Sequence, residues 1–253
     1  MKKLGRVAAV ALSATMLAGC GGAGKKTDTS TFRFASELDI MGMDSSVVDD
    51  GMSFNALHAI TEGLEGLDKN GKTVNAVAQS YKVSDDRKTY TFKLRKDAKW
   101  SNGDDVTAND FVYAWQRIIK NAGNYAYMYG SDGANILNAD DLIKKGTTAT
   151  QAELDTLGVK AQDDKTLVVT LAAPVPFFLD LMTFPCYYPI NQKFAEKAGK
   201  DYATKPEYLL SNGPFVMKKW TKGKSADFVK NDKYYDAKDV KLKNIHFDLA
   251  MKT

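Results

Sequence analysis

Thiols, imidazoles and paired carboxylates are the groups in this sequence that could take part in a reaction. There are two cysteines, Cys20 and Cys186, and two histidines, His58 and His246. A nucleophilic thiol needs a base or cation that holds it as thiolate. Cys186, inside "FPCYYPI", has neither nearby in sequence and reads as an inert buried thiol. The histidines lie far apart, with no second soft ligand beside either, so both read as structural and no metal site or cofactor is expected. Asp49-Asp50, Asp85-Asp86, Asp104-Asp105 and Asp163-Asp164 could share a proton if buried, but their turn-like contexts make them solvated loop charges. The nucleophile elbow, Walker loop, dinucleotide fingerprint and zinc-protease motifs are all absent. No catalytic residue is expected, and an enzyme is the weakest reading.

Cys20 has a different setting. Met1 to Arg6 is basic, Val7 to Ala18 is apolar, and Gly21 to Ser30 is rich in glycine, lysine and threonine. A short apolar run behind a basic start reads as a secretory signal, residues 1–19. Leu17-Ala18-Gly19-Cys20 resembles the bacterial lipobox, which implies cleavage before Cys20 and a diacylglycerol on its sulfur. Residues 20–30 then form a flexible tether, and the folded part is expected to be lipid-anchored at the extracytoplasmic face of the cell membrane. No later apolar run approaches the ~20 residues that span a bilayer. Of the net +4, Lys2, Lys3 and Arg6 supply three charges. The remainder is close to neutral and gives no case for nucleic acid.

The elements that would position any site follow from periodicity. "TFRFA" (31–35) alternates as a strand. "SFNALHAITEGL" places Phe54, Leu57, Ile60 and Leu64 on one helical face, with Ser53 as its expected cap. Asp68 to Gly71 is a turn; it lacks the later acids of a calcium loop. Tyr90, Phe92 and Leu94 alternate with Thr91, Lys93 and Arg95 as a half-exposed strand. Thr107 and Asp110 have capping-box spacing with a shortened acid, and Phe111, Trp115 and Ile118 follow as a core-facing stripe. Thr150 and Glu153 repeat that spacing. A tyrosine-rich loop fills 121–135, and "KTLVVTL", "PFVMKKW", "SADFVKND" and "LKNIHFDLA" read as strands.

"YTFKLRKDAKWSNGDDVTANDFVYAWQRI", "LGVKAQDDKTLVVTLAAPVPFFLDLM", "SNGPFVMKKW" and "KNDKYYDAKDVKLKNIHF" occur in that order. With them the chain resembles the oligopeptide-binding proteins of bacterial peptide ABC transporters, the extracellular solute-binding family 5. The resemblance implies an α/β fold with mixed α+β sheets: a periplasmic-binding-protein-like type II lobe with an inserted subdomain, the second lobe missing. Residues 31–50 and 166–253 would form the lobe and 51–165 the subdomain. It also implies that Ser36, Glu37 and Leu38 line a peptide cleft, that Tyr125 touches ligand, and that Asn212-Gly213-Pro214-Phe215 is a structural strand entry. The implied partners are oligopeptides, a membrane permease and, through it, ATPase subunits. A receptor for signalling peptides, or a surface adhesin or chaperone-like lipoprotein, remains open. Family members are about twice this long, so this chain is expected to offer one wall of the cleft, to bind peptide weakly or not at all, and to expose an apolar face.

Overall fold

The computed structural model describes residues 29–251. Contacts divide the chain into Met1–Ser30 and Thr31–Thr253. Thr29 and Ser30, a turn, are the described part of the first unit. Cys20, the leader and the rest of the tether lie outside the described residues.

Three sheets form the second unit. The first has the order β1 (Thr31–Ala35), β10 (Asn244–Asp248), β9 (Ser225–Lys230), β8 (Phe215–Thr221). β1 and β10 run parallel, with Phe32 opposite Ile245 and Phe34 opposite Phe247; the other pairs are antiparallel. The second is a hairpin of β2 (Glu65–Leu67) and β3 (Thr73–Asn75), whose turn is the expected Asp68–Gly71. The third has the order β4 (Ala78–Val83), β5 (Thr89–Leu94), β7 (Thr166–Thr170), β6 (Val159–Asp163), all antiparallel. In β5, Tyr90, Phe92 and Leu94 are buried and Lys93 is exposed, as alternation requires.

Helix α1 (Gly51–Ile60) differs from its sequence reading in both ends. Asp50, not Ser53, is the cap: its carboxylate accepts the Ser53 N–H at 2.8 Å. This leaves the Ser53 hydroxyl free to accept from the N–H groups of Met41 and Gly42, both at 3.1 Å. At the other end the helix stops at Ile60, because the Asn212 side chain takes both main-chain groups of Glu62 at 3.0 Å. Gly213 N–H adds a bond to the Ile60 carbonyl, where a Cβ on Gly213 would sit 2.9 Å from the Ile60 carbonyl carbon. Leu64 therefore lies beyond the helix and packs elsewhere.

Helix α2 (Ala108–Lys120) buries Phe111, Ala114, Trp115, Ile118 and Ile119. The short acid of its capping box has a reason. Asp110 Oδ2 accepts both the Thr107 N–H at 2.9 Å and the Trp100 indole N–H at 3.0 Å. Burial raises the Asp110 pKa, and these hydrogen bonds oppose that rise. Short helices α3 (Ala139–Lys145), α4 (Gln151–Leu154), α5 (Phe178–Leu181) and α6 (Gln192–Ala198) complete the unit. Thr150 and Glu153 form the expected capping box of α4.

Buried apolar residues fall into two clusters. One gathers residues between Leu64 and Ala195, including Phe92, Trp115 and Phe178. The other joins Ile40–Ile60 to Ala203–Leu249, including Leu57, Phe228 and Phe247. Tyr125, Phe184 and Tyr202 pack against both. No helix among the described residues is long and apolar enough to cross a membrane.

Candidate functional site

In sheets with parallel strands, ligands collect beyond the carboxyl ends of those strands. Here that end belongs to β1 and β10. The pairing continues past both strands: Ser36 N–H donates to the Asp248 carbonyl at 2.9 Å, and Met251 N–H donates to the Ser36 carbonyl at 3.1 Å. Ala250 N–H reaches the Leu38 carbonyl at 3.3 Å, and the Ser36 hydroxyl accepts the Leu38 N–H at 3.0 Å. Main chain on both sides of Glu37 is thus fixed. Glu37 itself is exposed and engages no described residue through main chain or side chain. Beside it, Leu38 is 65% exposed and Met41 71%. The edge therefore presents a free amide, a free carbonyl and apolar surface, which suit an extended ligand.

Helix α2 braces the loop that follows. Arg117 Nη2 is 2.6 Å from Asp44 Oδ2, and Asp44 Oδ1 also accepts from the Ser46 N–H and hydroxyl. Asn121 donates to the Ser46 hydroxyl at 3.1 Å, and Asn124 donates to Asp49. Gly123 lies so close that a Cβ there would be 2.2 Å from the Ser46 carbonyl oxygen. The Arg117 guanidinium also lies over the Tyr202 ring, 5.4 Å from its centre. Sequence reasoning did not find these bracing residues; none of them is near residues 36–50 in the chain.

Tyr125 is half-buried. Its ring meets Phe54 at 5.3 Å and Phe184 at 5.2 Å and stacks on Tyr127 at 6.0 Å. Burial raises its phenol pKa. None of these ring contacts is with Ser36, Glu37 or Leu38. The two groups are connected through α1, where Ser53 holds Met41 and the next residue, Phe54, holds Tyr125.

The Cys186 thiol and the two imidazoles each meet other groups of the fold. Cys186 is buried among aromatics, and burial pushes its thiol pKa well up. His58 Nδ1 is 2.7 Å from the Tyr188 hydroxyl, and burial lowers its pKa. His246 sits between Asp227 at 2.6 Å and Asp248 at 3.1 Å, and the Asp227 hydrogen bond raises its pKa. Among the described residues no group of three His, Cys, Asp or Glu could hold a metal.

The family of bacterial extracellular solute-binding proteins, family 5, matches residues 72–251. The chain belongs to this family. It is 37% identical to the dipeptide-binding protein of Lactococcus lactis subsp. cremoris, over 98% of this chain and 44% of that relative. It is 38% identical to the oligopeptide-binding protein OppA of Bacillus subtilis, over 92% of this chain and 42% of OppA. Among solved structures, Listeria monocytogenes OppA bound to peptide has a TM-score of 0.81 at 40% identity, covering 87% of this chain and 42% of OppA. The substrate-binding domain of an oligopeptide ABC transporter from Bacillus anthracis gives 0.80 at 43% identity, covering 87% and 41%. The family member described here thus shares the mixed α/β fold of oligopeptide-binding proteins and spans less than half the length of these relatives.

Proposed function

We propose that these residues form one wall of a peptide receptor serving an ABC importer, a two-lobed protein in which Glu37 and its neighbours face an extended oligopeptide. The observation that carries this reading is the unengaged Glu37 main chain, held between fixed Ser36 and Leu38 at the carboxyl end of the β1–β10 pair. Backbone-to-backbone hydrogen bonding to such an edge gives affinity without reading side chains. Similarity to relatives named for dipeptide and oligopeptide binding supports the ligand class. Tyr125 is assigned a supporting contact beside Tyr127, which is exposed. The proposed division into a lobe, residues 31–50 and 166–253, and an inserted subdomain, residues 51–165, is supported in outline by two separate apolar clusters, one of residues 40–60 with 203–249 and one of residues 64–195.

Captured peptide would pass to a permease driven by ATPase subunits. Cys20 carries the lipid in this reading and keeps the receptor beside that permease by raising its effective concentration. The test is mass spectrometry of the native protein extracted from the membrane fraction, with its bound molecules eluted separately. Co-eluting oligopeptides and a diacylglycerol adduct on Cys20 support the reading. A native protein of two-lobed mass that releases no peptide, and takes up none from a peptide mixture, overturns it.

A further inference from the structure

The hairpin joining β8 to β9 places Lys218, Lys219, Lys222 and Lys224 within seven residues, all four exposed. None is within ion-pair distance of a carboxylate among the described residues, although Lys99, Lys145 and Lys165 each have one. Acids border the hairpin: Asp44, Asp49 and Asp50 line a second pocket with Trp220 and Lys222, and are held by Arg117, by Asn124 and by the Ser53 N–H respectively. Asp227 is cross-strand from Lys219, but its carboxylate is taken by His246. Asp39 accepts the Gly223 N–H at 2.7 Å, and Glu207 lines the same cavity as Lys205, Lys218, Lys219 and Lys222. That cavity, about 570 Å³, is also lined by Trp220.

Trp220 is half-buried, with Lys222 Nζ 4.9 Å from its ring centre. Its indole nitrogen is shielded and lacks an acceptor among the described residues. The register shift between Met217 and Lys219 makes Lys218 the extra residue of a bulge, so two successive lysines reach solvent together. Lysines around a half-exposed indole ring match the chemistry of a headgroup layer.

We infer that the Lys218–Lys224 hairpin, with Lys205 and Trp220, is a docking surface for a membrane rich in anionic phospholipid headgroups. Charge complementarity favours this occupant: Lys205, Lys218, Lys219 and Lys222, none ion-paired among the described residues, line one cavity of a chain that is close to neutral beyond its first six residues, and Lys224 follows in the same hairpin. Placement agrees. The Asp39–Gly223 bond, and the Leu249 N–H donated to the Lys224 carbonyl, put the hairpin tip at the same end of the sheet as Ser36–Leu38. Docking there would turn the ligand-facing edge toward the bilayer. Only this last point rests on the importer reading.

The test uses residues 20–253 with Cys20→Ser, so that the basic, apolar leader is absent, co-sedimented with vesicles of phosphatidylcholine alone and of phosphatidylcholine with phosphatidylglycerol in equal parts. The readout is the gain on the anionic vesicles, which is independent of peptide and permease. Trp100 and Trp115 are fully buried, so a change in tryptophan emission on binding reports Trp220. Binding to anionic vesicles should be stronger by at least about tenfold and weaken with salt. Combined Lys218→Gln, Lys219→Gln, Lys222→Gln and Lys224→Gln should abolish the gain with the melting temperature unchanged. A charge-matched control, Lys69→Gln, Lys82→Gln, Lys160→Gln and Lys197→Gln, should retain it. No gain in the parent, a gain kept by the hairpin variant, or an equal loss in the control overturns the inference. So does an emission change with inorganic phosphate alone, which would make this a small-anion site.

Discussion

Arg117 Nη2 and Asp44 Oδ2, 2.6 Å apart, tie the helix of one apolar cluster to a loop of the other. Asp44 lies in the segment that continues from Ser36–Leu38, so the pair fixes that edge from behind. Both side chains are largely shielded, and the guanidinium is further covered by Tyr202. Arg117→Met should cost about 2–3 kcal/mol, because a shielded carboxylate then loses its charged donor. Urea unfolding measures the loss. Hydrogen exchange should show faster opening of residues 38–50, and unchanged exchange there would contradict the bracing role.

The end of α2 offers a gain in stability. Gly123 N–H bonds to the Ile118 carbonyl and Ala122 N–H to the Ile119 carbonyl, the bond pair of a Schellman motif. Yet the residue that needs a left-handed conformation is Ala122, with φ of 50°. Ala122→Gly should raise stability by about 0.5–1 kcal/mol, the relief of that strain less the entropy glycine adds to the unfolded chain. Gly123→Ala should do the opposite, since its Cβ would collide with the Ser46 carbonyl. Thermal melts of the two variants should move in opposite directions.

Glu65 sets a pH dependence. It is 2% exposed, one carboxylate oxygen has no partner among the described residues, and burial raises its pKa to about 7. A carboxyl raised in the folded state binds a proton that the unfolded chain has already released. It therefore costs nothing at pH 4, and its cost grows as pH rises from the ordinary carboxyl value to about 7. Glu65→Gln should thus stabilise the protein by roughly 1–3 kcal/mol more above pH 7 than at pH 4. Denaturant titrations of both proteins across that range give the comparison, and a difference independent of pH would refute the assignment.

The two histidines should titrate on opposite sides of the ordinary value of about 6.5. Partial desolvation of the ring beside Tyr188 lowers His58, whereas the Asp227 hydrogen bond, with Asp248, raises His246. The His246 contribution to stability is complete below its unfolded pKa and is lost as pH rises through the higher folded value. Imidazole carbon-bound proton shifts, assigned with His58→Gln, should show two separate steps. His246→Gln should be more destabilising at pH 5.5 than at pH 8.5.

Much of the local architecture was legible because it depends on neighbours in sequence. Tyr90, Phe92 and Leu94 face inward as their alternation requires, and Thr150–Glu153 closes a capping box. Where the sequence reading failed, a residue from far along the chain decided the outcome. Asn212 ends α1 before Leu64 by taking the Glu62 main chain, and loop residues Met41 and Gly42 claim the Ser53 hydroxyl. The Arg117–Asp44 brace and the burial of Glu65 leave no trace in spacing. The assignment of Ser36–Leu38 to a cleft rests on resemblance alone, since nothing in the spacing of these three residues distinguishes a cleft edge from an ordinary loop.

The parallel pairing of β1 with β10 has a kinetic consequence. Phe34 must wait for Phe247 to be synthesised before its strand acquires a neighbour. At ordinary elongation rates that interval is on the order of 10–40 s. Residues 64–195, whose cluster closes within itself, can assemble during that time, while the first strand stays an unpaired apolar segment. Closing so long a loop makes this pairing a late step in folding. The Ser36–Leu38 edge, built directly on it, accordingly acquires its shape after residues 64–195.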